Sequence, residues 1–156
     1  MAKIFSIGPI LSPSMREGCD SQRCAVALFA ECIAVGDAAI DLVLDAYERA
    51  HAQRPIAGKR WSIEHAFIGR RDHLPRIKAL GLALAVQNHL YLAGPSLVRY
   101  WGMERAALTT PVRMYLDAGL PVSSGTDAPV VPHPPLWTLY HFVTRNTISG
   151  GVLGPD

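Results

Sequence analysis

A chain of 156 residues with 49% hydrophobic and 18% charged residues carries enough apolar side chain for one ordinary globular domain and excludes a disordered polymer. Its formal net charge of +2 is spread thinly, with basic clusters no longer than Lys59-Arg60 and Arg70-Arg71, which argues against nucleic acid as a partner. No apolar run reaches the roughly 20 residues of a bilayer crossing, and the three cysteines (Cys19, Cys24, Cys32) match no common zinc spacing and cannot all pair, so a soluble protein of a reducing cytoplasm is expected.

Residues 1–30 resist interpretation, because Gly8, Pro9, Pro13, Gly18 and the polar "GCDSQRC" break any periodicity before it repeats. Residues 31–156 are set apart from them as the interpretable part of the chain. "AVALFAECIAV" is apolar enough for a buried strand, or for a helix running into one, and ends at Gly36-Asp37. "DAAIDLVLDAYERAHA" then places Ile40, Val43, Leu44 and Tyr47 at helical spacing, with Asp37 available as an N-cap. After a loop at "RPIAGK", "RWSIEHA" reads as a strand, "RRDHLPRIKALG" as a helix closed by Gly81, and "LALAVQ" as a second buried strand. "SLVRYWG" and "TPVRMYLDAG" read as helices, the second with Pro111 near its first turn and Gly119 near its end. "LPVSSGTD" returns to strand, and "PPLWTLYHFVTR" is helix-like. Strand and helix thus alternate at a beat of roughly 30 residues, the pattern of βαβ units on a parallel sheet.

Buried parallel strands read as apolar runs, so polar residues within them stand out. They gather at one end: His65 in "SIEHA", Gln87 to His89 in "AVQNHL" and Asp127 in "SSGTDAP" all close their strands. In α/β folds that is the edge where active sites are built. Alternation puts Glu64 and His65 on opposite faces and gives His65 the face of Ile63, either as a satisfied core residue or as a ligand at a cavity mouth. Imidazole and carboxylate suit zinc or a similar divalent ion, and a carboxylate beside an activated water can take its proton. Three protein ligands are usual, and spacing alone shows no third.

The order "AVGDAAIDLVLDAYE", "SIEHA", "RIKALGLALAVQNHL", "WGMERAALTTPVRMYLDAGLPVSSGTDAPV" and "HFVTRNTISGG" resembles the C-terminal half of the catalytic barrel of the metal-dependent amidohydrolases. The likeness is to amidohydrolase family 3, which includes N-substituted formamide deformylases, and it covers about residues 33 to 154. It implies an α/β fold, a partial TIM (β/α)8 barrel of strands five to eight with their helices. The parent chemistry it implies is hydrolysis of non-peptide carbon-nitrogen bonds, such as amides, by metal-activated water. His65 then corresponds to the sixth-strand metal ligand, and Asp127 to the eighth-strand aspartate that touches the metal and serves as base. Gln87 and His89, beyond the seventh strand, face the substrate on this match. Arg105 in "GMERA" falls on the substrate side or in loop structure, and the loop residue His133 near Asp127 is a candidate substrate contact.

The sequence departs from the family pattern at Ile33, where the fifth-strand motif has a metal-binding histidine before "AVGD". The first-strand His-x-His pair, strands one to four and the stretch beyond Asp156 are also absent. The expectation is therefore a divalent metal, zinc by its ligand chemistry, in the complete enzyme, and an inactive isolated chain for which both a bound metal and none stay open. A partial reading frame, with Cys32-Ile33 as the seam, is the expected explanation for residues 1–30. Four strands of eight leave unpaired edges, so a homo-oligomer or a complementing half-barrel is expected as a partner beside a small amide-type substrate. Two rivals stand against the enzyme: a non-catalytic remnant, favoured by Ile33, and a small α/β binding module, disfavoured because no glycine-rich phosphate loop follows any strand. Among the other histidines, His73 is expected to be solvated, His51 to sit at the negative end of a helix dipole, and His141 to be packed.

Overall fold

The computed structural model describes residues 31–130 and 134–154. Four strands, β1 (Glu31–Ala34), β2 (Ser62–His65), β3 (Ala83–Gln87) and β4 (Val122–Gly125), form one parallel sheet in the order β1-β2-β3-β4. Helix α1 (Asp37–Gln53) follows β1, α2 (His73–Leu80) follows β2, α3 (Leu90–Ala106) and α4 (Val112–Asp117) follow β3, and α5 (Pro135–Thr144) follows β4. The expected alternation is therefore observed, and four consecutive parallel βα units are the arrangement of a partial TIM barrel. Residues 1–30, with Cys19 and Cys24, lie outside the described residues, as do His133 and Asp156.

The register divides the sheet into two unlike faces. Ile63 lies beside Cys32 and Leu84, and Ile63, Leu84 and Val86 are fully buried in one cluster with Ile40, Leu44 and Tyr47 of α1, Ile77 and Leu80 of α2, and Met114 and Tyr115 of α4. On the other face Ile33, Glu64, Ala85 and Ser123 share a register row, and each is partly or largely exposed. Helices cover the first face; the second is open.

The periodicity of α1 buries the residues it should, Ile40, Val43, Leu44 and Tyr47. Its N-cap is Gly36, with no side-chain cap bond, and Asp37 sits instead in the first turn, where it pairs with Arg105 and Arg70. Gly81 closes α2 in the left-handed conformation at φ 64°, where a residue without Cβ is least strained. His51 in the last turn of α1 accepts the Ile56 backbone N–H at Nδ1.

Helix α3 starts at Leu90, ahead of the expected Ser96, and runs through Gly94-Pro95 to a break at Gly102. Proline inside a helix removes the hydrogen bond to the carbonyl four residues earlier. That carbonyl belongs to Tyr91, and it accepts the Ile148 N–H at 2.8 Å instead. Gly94 lets the same segment approach, since a Cβ there would meet Thr147 Cγ2 at 2.6 Å. The sequence signal for a breaker is thus satisfied by a turn of chain docking from Thr147-Ile148, a partner invisible to local reading.

His73 overturns its expectation. It is fully buried between α1 and α2, its Nδ1 accepting the Arg70 backbone N–H and its Nε2 donating to Asp41. Arg70 grips Asp41 through both terminal nitrogens at 2.9 and 3.1 Å, and Arg76 reaches Asp41, Asp45 and Glu48. With guanidinium groups already on its carboxylates, the Asp41–Asp72–His73 group is an ionic clasp between helices, not a cation site.

Burial, then the Arg70 charge, lowers the His73 pKa below 6.5, and the Arg70 hydrogen bonds hold Asp41 below 3.8. A histidine depressed in the folded state binds more protons when unfolded, so its contribution is intact above about pH 6.5 and is lost as pH falls below it. Urea unfolding at pH 8 and pH 5 is expected to show the wild-type chain losing stability, with His73 contributing at most about 1.4 kcal/mol per pH unit. His73→Gln should flatten that pH dependence; an equal slope in both proteins would show that His73 is not its source.

Candidate metal centre

Three strand ends converge on one side of the sheet. His65 ends β2, His89 follows β3 as the residue before α3, and Asp127 follows β4. One ligand atom from each lies within 4.8 Å of the other two, and all three side chains are half-buried. His89 Nε2 is 3.2 Å from an Asp127 carboxylate oxygen, and the His65 and His89 rings meet edge to face at 5.5 Å. Phe67 stands against His89 with centroids 5.7 Å apart.

The backbone explains how His65 gets there. Simple alternation would give it the helix-covered face of Ile63, but His65 and Ala66 have φ of 68° and 42°, and this left-handed turn ends the alternation. The ring instead reaches Gln87, which alternation along β3 places on the open face with Ala83 and Ala85; its Nδ1 is 2.6 Å from Gln87 Oε1. Asp127 is also left-handed, at φ 57°. Histidine and aspartate tolerate that region better than most residues, and such conformations cost of order 1–3 kcal/mol each and persist where the surroundings impose them.

Those surroundings are identifiable. The buried Tyr115 hydroxyl donates to the Ala66 carbonyl at 2.7 Å, and burial raises its pKa well above the ordinary value. Thr110 joins the neighbouring strand ends: its N–H donates to the Phe67 carbonyl and its hydroxyl lies 3.5 Å from the Gln87 carbonyl. Behind it, Arg145 is buried and donates to the carbonyls of Ala107, Thr109, Thr110, Leu153 and Gly154.

Of the residues singled out in the sequence, the structure gathers His65, Gln87, His89 and Asp127. A third ligand-type atom beside His65 and Asp127, which spacing could not show, comes from His89, brought to Asp127 by the β3–β4 pairing, which sets Gln87 opposite Gly125. Arg105 pairs with Asp37 at 2.7 Å and lies over the Trp101 ring, contacts that tie α3 to the start of α1. His133 is outside the described residues. Ile33 lies on the open face in register with Glu64 and brings no ligand atom.

A parallel α/β sheet with two imidazoles and a carboxylate at the C-terminal ends of its strands has the form of a metal-dependent hydrolase. The model of the amidohydrolase family matches residues 25–156, and the chain belongs to that family. It is 36% identical over 124 residues to an N-substituted formamide deformylase of Arthrobacter pascens, covering 78% of this chain and 23% of that protein. Two crystal structures of uncharacterized metal-dependent hydrolases resemble it. That from Pyrococcus horikoshii has a TM-score of 0.67 at 28% identity, over 81% of this chain and 24% of that one. That from Pyrococcus furiosus has a TM-score of 0.58 at 31% identity, over 72% and 22%. The chain therefore spans about a quarter of the length of these relatives.

Removing the hydroxyl that braces the left-handed turn leaves the Ala66 carbonyl buried without its partner. Tyr115→Phe is expected to lower unfolding stability by about 1–2 kcal/mol, read as a shift in urea midpoint at constant m-value; an unchanged midpoint would mean that the bond does not support the turn.

Proposed function

We propose that His65, His89 and Asp127 hold one divalent metal, zinc by the chemistry of the donors, and that the chain carries this part of the centre of a hydrolase acting on the carbon-nitrogen bond of a small amide. The convergence of the three ligand atoms within 4.8 Å of one another carries the reading. Two neutral imidazoles and one carboxylate fit zinc in kind and number, since catalytic sites commonly take three protein ligands and leave a position open.

When bound, the ion supplies Lewis acidity, polarising a carbonyl oxygen and making water easier to deprotonate. The protein's part is positional and acid–base. His65 and His89 hold their rings edge to face, and His89 Nε2 stands 3.2 Å from an Asp127 carboxylate oxygen, which brings the ligand atoms toward one point. Asp127 takes the proton of the attacking water and can return it to the departing amine nitrogen. The deformylase likeness makes an N-substituted formamide the first substrate to try, in the cytoplasm. Four strands leave the open face and the β4 edge without neighbours among the described residues, so turnover is expected only where a complementing half-barrel or a second copy closes the site.

Ile33 favours a second reading, a remnant that keeps the packing and has lost the metal. Calorimetric titration of the full chain with zinc separates the two. One ion per chain is expected, with binding lost in both His65→Ala and Asp127→Ala; no heat of binding in the wild-type chain would leave the remnant.

A further inference from the structure

Between the strands that carry His65 and Asp127 lies β3, and its last residue, Gln87, is the partner of the His65 ring. The sequence suggested a substrate contact for Gln87. Its placement points elsewhere: the residue is only 8% exposed, its carbonyl faces the Thr110 hydroxyl, and its amide oxygen sits 2.6 Å from His65 Nδ1.

An amide oxygen only accepts hydrogen bonds, so the ring nitrogen facing it must carry the proton. A neutral imidazole has one N–H. With that proton on Nδ1, the lone pair lies on Nε2, the reverse of the tautomer that free histidine favours in water. The orienting group is uncharged, which matters as much as its position. An amide selects a tautomer without adding the charge that a carboxylate, another common partner of a ligating histidine, would bring.

We propose that Gln87 is a positioning residue that holds His65 as the Nδ1–H tautomer and so presents the Nε2 lone pair to the centre formed with His89 and Asp127. The consequence for metal binding rests on the reading given under Proposed function; the tautomer is a property of the metal-free chain. The edge-to-face His89 ring limits the other freedom of His65, rotation of its plane. Gly125, opposite Gln87 on β4, has no side chain of its own to bring to the amide.

The test is a long-range proton–nitrogen correlation spectrum of the full chain with 15N-labelled histidine, metal-free at pH 8, the His65 signals being identified by their loss in His65→Ala. The expected pattern is a protonated-type Nδ1 and a lone-pair-type Nε2. Gln87→Leu should shift His65 toward the Nε2–H form and weaken zinc binding about 10–100-fold, while Gln87→Glu, which keeps an acceptor, should retain the Nδ1–H form. Backbone amide spectra check that each variant is folded; should Gln87→Leu not fold, the wild-type and Gln87→Glu spectra decide. An Nε2–H ring in the wild-type chain, or an unchanged tautomer in folded Gln87→Leu, overturns the proposal. The expected tautomer in a wild-type chain that binds no zinc would support the positioning role while the metal reading fails; zinc binding with the opposite tautomer would do the reverse.

Discussion

The buried Arg145 guanidinium is the interaction on which the rest of the site depends. A charge inside a protein is tolerated only when its donors are satisfied, and here they reach five backbone carbonyls from two separate stretches of chain. One stretch, Ala107 to Thr110, crosses behind the ends of β2 and β3; the other, Leu153-Gly154, returns after α5. Thr110 then passes the constraint forward through Phe67 and Gln87 to the residues beside His65. A cation with five fixed donors suits this work because carbonyls at irregular chain positions have no ladder in which to pair.

Forward of that hub the backbone is held away from its comfortable geometry. His65, Ala66 and Asp127 all have positive φ, and two of the three belong to the candidate metal centre. A strand that simply continued would send His65 beneath the helices, where Ile63 already packs. The turn redirects the ring to the open face, and Tyr115 from α4 closes a hydrogen bond on the turn itself. The packing of α4 on the covered face and the position of the His65 ring on the open face are thus parts of one arrangement.

Much of the fold was legible because periodicity and punctuation are local. Ile40, Val43, Leu44 and Tyr47 could be named as the buried stripe of α1, and Gly81 as the stop of α2, from residues within one turn of each other. The polar strand ends stood out against apolar runs, so His65, Gln87, His89 and Asp127 were recognisable as a set. What escaped was long-range. Helix α3 begins early because Ile148 takes the carbonyl that Pro95 releases, and His73 is buried because Asp41 arrives from another helix. His89 as a companion of Asp127 required the β3–β4 register, and the face reached by His65 required a dihedral angle that alternation assumes away.

The strand order bears on how such a sheet can assemble. Each strand lies beside the next in sequence, with no crossing over an earlier strand, so growth can proceed one unit at a time, each new strand finding its template already formed. At every stage the newest strand is an uncovered edge, the surface most prone to indiscriminate pairing between molecules. In β4 that edge reads Val122-Ser123-Ser124-Gly125, short, hydroxyl-rich and ending in glycine, with its last three residues exposed. The same residues that make β4 a weak core strand make it a poor nucleus for aggregation.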